Sequence, residues 1–167
     1  MQIVFVQIGQ CGNQVAAQLF QQLFKSMQLD KKPMANDLNA FFRPHPHVPA
    51  QWIARAVAVD AEIKVLQSLP VVSIHRDFNN HAADDPESST KSPSSGSWAY
   101  DHRNVIYDKT GSANNWAYGY HRHGPRLFER MRDRIRREVA LCDGFSGFVV
   151  LQSLAGGTGS GVGSSCP

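Results

Sequence analysis

No lysine follows Lys109 in this chain, so the glycine-rich stretch near its end has no ammonium to offer a phosphate. A Walker A loop, which needs Gly-Lys-Ser/Thr, is excluded. A G-x-G-x-x-G fingerprint is also missing, because its last glycine would fall on Val162 or Ser164. A dinucleotide fold thereby loses its main support. Ser153, Ser160 and Ser164 all lack the flanking glycine pair of a nucleophile elbow, which argues against an α/β-hydrolase. Cysteine is scarce. Cys11, Cys142 and Cys166 are far apart, odd in number and outside any C-x-x-C spacing, so neither a disulfide framework nor a zinc site is indicated. Free thiols in the cytoplasm are expected. Long apolar runs are absent too: Gln2 and Gln7 interrupt Met1 to Ile8. A signal segment or membrane span is therefore not expected, nor a membrane partner.

What is present suits one α/β domain. The chain has 167 residues, 42% of them hydrophobic, and a compact chain near this size hides roughly 70% of its unfolded surface. Strands are expected at Ile3 to Ile8, Arg55 to Val59, Asn104 to Tyr107 and Gly147 to Leu151. Helices are expected from about Gly12 to Met27, from Glu62 to Leu69 and from Arg126 to Leu141. In the first, Val15, Leu19 and Leu23 with Ala16, Phe20 and Phe24 form a broad apolar face. In the last, the face is Phe128, Met131, Ile135, Val139 and Cys142. Strands joined by helices imply a parallel sheet whose carboxyl-end loops gather on one edge, and that edge is the expected binding site.

The run Ala155-Gly156-Gly157-Thr158-Gly159-Ser160-Gly161 joins the last strand to the first turn of a helix. Such a turn lets the backbone approach an anion, and the N–H groups at the helix start supply donors and positive dipole. A second helix-entry turn, Gly9-Gln10-Cys11-Gly12-Asn13-Gln14, and a polar-aromatic loop, Asn114 to Tyr120, suggest a nucleotide site built from three loops. Ser153 precedes the glycine run. Asp60 and Glu62 follow the second strand, where Asp60 could instead cap a helix.

In this order the motifs resemble those of the tubulins. Gly156 to Gly161 reads as the GGTGSG signature, Gly9 to Gln14 as the first nucleotide loop and Asn114 to Ala117 as the third. Ala155, Trp116 to Tyr120 and His123 to Arg126 are most similar to the δ class. The resemblance implies a tubulin/FtsZ-like three-layer fold, a parallel sheet with helices on both faces, here truncated. It implies GTP held by Gly9, Gln10, Cys11, Asn114, Ser153, Ala155, Gly156, Gly157, Thr158, Gly159, Ser160 and Gly161. It also implies Mg²⁺ approached through water by Asp60 and Glu62, which suits a hard cation with oxygen ligands. Other tubulin subunits and microtubules are the implied partners. Cytoplasm and cytoskeleton are the implied location, with centrioles, basal bodies or cilia as the δ-class setting. In that family the water-activating acid and the base-recognising residues come from a later part of the chain, so no catalytic residue is expected here. Two departures bear on the site. Ala113 stands where the family has a glycine before the asparagine, and Ile63 where a proline follows the glutamate.

Residues 79–97 are rich in Ser, Asp, Asn and Pro, which reads as a disordered insertion. The arginines at 122, 126, 130, 132, 134, 136 and 137, with a net charge of +3, would permit a nucleic-acid-binding module. Pairing of Glu129 with Arg132, Asp133 with Arg137 and Arg134 with Glu138 instead predicts a salt-laced solvated face and no nucleic-acid partner. His45 with His47 and His121 with His123 lack a third ligand for a metal. A degenerate tubulin-like interaction protein without catalysis is the remaining alternative.

Overall fold

A computed structural model describes residues 1–29, 35–72 and 97–165, with side chains described at 1–28, 38–72 and 97–165. In chain order these form β1 (Gln2–Ile8), α1 (Gly9–Leu29), α2 (Ala35–Phe41), β2 (Phe42–Pro44), β3 (Trp52–Ala54) and β4 (Ala56–Asp60). There follow α3 (Ile63–Leu66), β5 (Val71–Val72), β6 (Trp98–Asp101), β7 (Val105–Tyr107) and α4 (Trp116–Tyr118). A π-helical turn at Gly119–His123 runs into α5 (Gly124–Ala140), and β8 (Phe145–Gln152) and α6 (Thr158–Ser165) complete the series.

The Val-, Ile- and Phe-rich first strand reads as a fully covered one, and β1 does lie inside a four-stranded sheet of order β7-β4-β1-β8. All three pairings are parallel, with Phe5 to Ile8 opposite Ala56 to Val59 and Ile3 to Ile8 opposite 147–152. Alternate side chains feed two cores. Phe5, Ala56 and Ala58 join Phe20 and Phe24 of α1 on one face. Val6, Ile8, Val57 and Val59 join Leu127 and Met131 of α5 and Val162 of α6 on the other. The three-layer parallel architecture expected from the sequence is the one observed.

The helix faces differ in detail from their sequence reading. Ala16, Phe20 and Phe24 are buried, but Val15 is 52% and Leu19 37% exposed, because the stripe facing the sheet is narrower than the apolar run. On α5 the buried positions are Gly124, Leu127, Met131 and Glu138, with Phe128 and Ile135 at the margin. Glu138 is the larger correction. It does not pair with Arg134 on the surface but lies in the interior, accepting from Arg43 Nε at 3.0 Å and from Asn104 Nδ2 at 2.8 Å. The Arg132–Glu129 and Arg137–Asp133 pairs are present.

A second sheet, of order β2-β3-β6-β5, was not foreseen. Its strands are two to four residues long, too short for a period of two to stand out. Trp98, Tyr100 and Phe42 from this sheet pack on Phe20 with ring centroids 5.4–5.9 Å apart. Burial of each ring contributes about 2–3 kcal/mol. Arg55, at the junction of β3 and β4, is buried. Its guanidinium donates to the carbonyls of Asn39 near the end of α2 and Leu141 at the end of α5, both at 3.1 Å. It thus closes the carboxyl ends of two helices at once.

The expected insertion at 79–97 lies outside the described residues except for Ser97, whose carbonyl accepts from Trp52 N at 3.0 Å. On the edge strand β8, Phe148 and Val150 are half exposed.

Candidate functional site

Four loops leave the carboxyl ends of β1, β4, β7 and β8 and converge on one cleft of about 510 Å³. That volume falls within the range of roughly 300–1,000 Å³ typical of small-molecule sites. Of the residues expected to bind nucleotide or metal, Gln10, Cys11, Asp60, Glu62, Asn114, Ser153, Ala155, Gly156, Gly157, Thr158 and Gly159 line it. Cys11 is exposed, not a structural core thiol.

Gly9 supports the cleft from behind. It adopts φ +75°, and a Cβ there would lie 2.6 Å from the Gly159 nitrogen, so the first and fourth loops touch backbone to backbone. Gly156, with φ +94°, turns the chain beside Asn114, and a Cβ there would lie 3.8 Å from Asn114 Oδ1. The helix start that follows, at Thr158, has no acidic residue in its first turn, and neither does α1. Two helix N-termini therefore present N–H groups and positive dipole ends towards the same cavity, with no carboxylate in their own first turns.

Ser160 and Gly161 were expected in the site but do not line it. The helix begins at Thr158, which carries them into its first turn and away from the loop. The Ser160 hydroxyl donates back to the Gly156 carbonyl, and Gly161 packs against the backbone of Trp116 and Gly119. Their small side chains allow α6 to approach the π-helical turn.

Asp60 is 4% exposed, and its carboxyl titrates at about 6, well above its ordinary 3.8. Burial is the main cause. Backbone hydrogen bonds from Ala61 and Glu62 oppose it, the Glu62 charge adds to it, and a hydrogen bond with Thr158 opposes it. Oδ1 accepts from Ala61 N at 2.7 Å, and α3 starts after Glu62 without a side-chain cap, so Asp60 shapes the loop and does not cap that helix. The Thr158 hydroxyl also lies 3.0 Å from Ser112 Oγ. The second, third and fourth loops thus meet at this hydroxyl. Glu62 lies against the third loop, since a Cβ on Gly111 would collide with its carboxylate.

Two crowded carboxylates, one of them already reluctant to ionise, suit a hard divalent cation with oxygen ligands. No group of three or more His, Cys, Asp or Glu side chains forms a self-sufficient metal site among the described residues. A cation here would need further ligands, such as water and phosphate oxygens.

Ala113 and Asn114 take positive φ of 46° and 57°. Alanine disfavours this left-handed conformation, yet the turn forms, held by the Ser112 carbonyl accepting from Asn115 N at 2.8 Å. Sequence reading missed Lys64 and Val65, which also line the cleft. A cation two positions after Glu62 was the available signal. Among the described residues, no helix is long and apolar enough to cross a membrane.

A model of the Tubulin/FtsZ family, GTPase domain, matches residues 2–166. The chain is 40% identical to the tubulin delta chain of Homo sapiens over 173 residues, covering 98% of this chain and 33% of that protein. It is 38% identical to the tubulin delta chain of Mus musculus, with coverage of 98% and 33%. Identity to the tubulin beta-1 chain of Colletotrichum graminicola is 30%, covering 97% and 33%. The chain spans about a third of the length of these curated relatives. The higher identity to the delta chains agrees with the δ-like residues around Trp116 and Ala155. With its parallel sheet and its loops in the family's order, the chain belongs to the tubulin/FtsZ family.

Proposed function

We propose that this chain binds GTP with Mg²⁺ in the cleft at the carboxyl edge of its main sheet. The observation that carries the reading is the convergence of four loops on that cleft, with two helix N-termini facing it whose first turns hold no acidic residue. Gly156, Gly157 and Thr158 would receive the phosphates from the α6 side, and Gln10 and Cys11 would cover the nucleotide from the α1 side. Asp60 and Glu62 would hold the cation through water. When bound, Mg²⁺ neutralises part of the phosphate charge. The preference for guanine rests on family membership.

As part of a tubulin, the chain would act in microtubules through contacts with other tubulin subunits, in the cytoplasm and cytoskeleton. The likeness to delta chains extends the proposal to centrioles, basal bodies and cilia. Titration of the protein as its own cells make it should show saturable GTP binding that weakens when EDTA removes the cation. GTP should also slow alkylation of Cys11. Absence of saturable GTP binding would overturn the reading.

A further inference from the structure

Phosphates in a cleft need positive charge, and the glycine loop of this chain supplies it only through backbone. Residues 153–165 contain no lysine or arginine. The other loops bring Asp60 and Glu62, which add negative charge. Lys64 is the one cationic residue among those lining the cleft. It is exposed, and it makes no ion pair among the described residues.

Its position is anchored. α3 is a single turn fixed by Leu66, which is 2% exposed in the core, and by Gln67 N donating to the Ile63 carbonyl at 2.9 Å. Lys64 follows Glu62, which abuts Gly111, and that loop in turn meets Thr158 through Ser112. The lysine therefore belongs to the end of the cleft where the acidic loop, the third loop and the helix start converge. Asp60 and Glu62 are the residues proposed above to hold the cation, and a divalent cation on a nucleoside triphosphate bridges its last two phosphates, so the site reading puts the terminal phosphate at this end.

We infer that the Lys64 ammonium contacts the terminal phosphate of a bound nucleoside triphosphate and so sets the preference for triphosphate over diphosphate. It supplies from the second loop the charge that a Walker lysine would supply from the phosphate loop. This inference rests on the nucleotide-site reading above. A lysine acts as a mobile point charge on phosphate, so an arginine at the same place retains much of the effect.

The test measures GTP and GDP affinities of the full natural protein, of Lys64→Met and of Lys64→Arg, with thermal melting to verify that the exposed substitutions leave the fold intact. The Met variant should lose about tenfold in GTP affinity and less than about twofold in GDP affinity, as expected for loss of one charge-assisted contact. Arg should restore most of the difference. Equal changes for the two nucleotides, or no change, would overturn the role of Lys64 alone. A natural protein that binds neither nucleotide would overturn the site reading as well.

Discussion

The two ends of the main sheet treat helix termini in opposite ways. At the amino end, Arg55 closes the carboxyl ends of α2 and α5, and Arg43 is held by Glu138 and Asp101, so these two buried guanidiniums find partners within the chain. At the carboxyl end, the N-termini of α1 and α6 face a cleft with no acidic residue in either first turn. The same dipole physics stabilises the fold at one end and leaves the other suited to an anion. Closure favours stability, and the open end carries the proposed function.

Changes at the closed end should cost stability first. Glu138→Ala leaves the buried Arg43 guanidinium with Asp101 as its one carboxylate partner and takes the acceptor from Asn104 Nδ2, and unfolding in denaturant should show a loss of about 3 kcal/mol, the lower end of the range for breaking a buried ion pair. Nucleotide affinity of the molecules that remain folded should stay unchanged. A loss under 1 kcal/mol would mean that the amino end is not the stabilising one.

At the open end, Gly9→Ala meets both a positive φ and the Gly159 backbone. The expected cost is about 2–3 kcal/mol, together with loss of GTP binding because the first and fourth loops are pushed apart. Retention of full affinity would show that their contact is not needed for the cleft.

Asp60→Asn should act in the other direction. The folded carboxyl titrates at about 6 against 3.8 ordinarily, so the folded state holds its proton more tightly. The resulting stability is fully present below pH 3.8 and is lost as pH rises to about 6. In cation-free buffer the asparagine variant should be more stable at pH 7 by on the order of 1–3 kcal/mol, yet bind GTP with less dependence on Mg²⁺. A natural protein whose stability is flat across that window would contradict the assignment.

The smallest effect is expected at Ala113, held at φ 46°. Ala113→Gly should relieve strain and raise stability by about 0.5–1 kcal/mol, with GTP affinity equal or higher. A loss of stability in calorimetry would show that the alanine methyl is needed for packing.

Much of the open end was legible in the chain, because phosphate loops are local. Gly156, Gly157, Thr158 and Gln10, all of which line the cleft, stand out from a few neighbouring letters, and the strands from runs such as Arg55 to Val59, one residue ahead of β4. The closed end was not legible. Glu138 sits four residues from Arg134, and sequence spacing favours a surface pair, but Arg43 and Asn104 reach it across separations of 95 and 34 residues. The second sheet escaped for the same reason: its short strands gain their order from Phe20 and from one another, not from their own periodicity.

By itself, the sequence determined the alternation of strands and helices, the family and the loops that line the cleft, since each depends on contiguous residues and their backbone preferences. Only the tertiary structure decided which charges are buried, that Arg55 joins two helix ends, that Ser160 and Gly161 turn away from the cleft, and that Lys64 enters it. Those outcomes depend on which distant segments share a desolvated space, and the energy of a charge is set by that space and not by its neighbours along the chain.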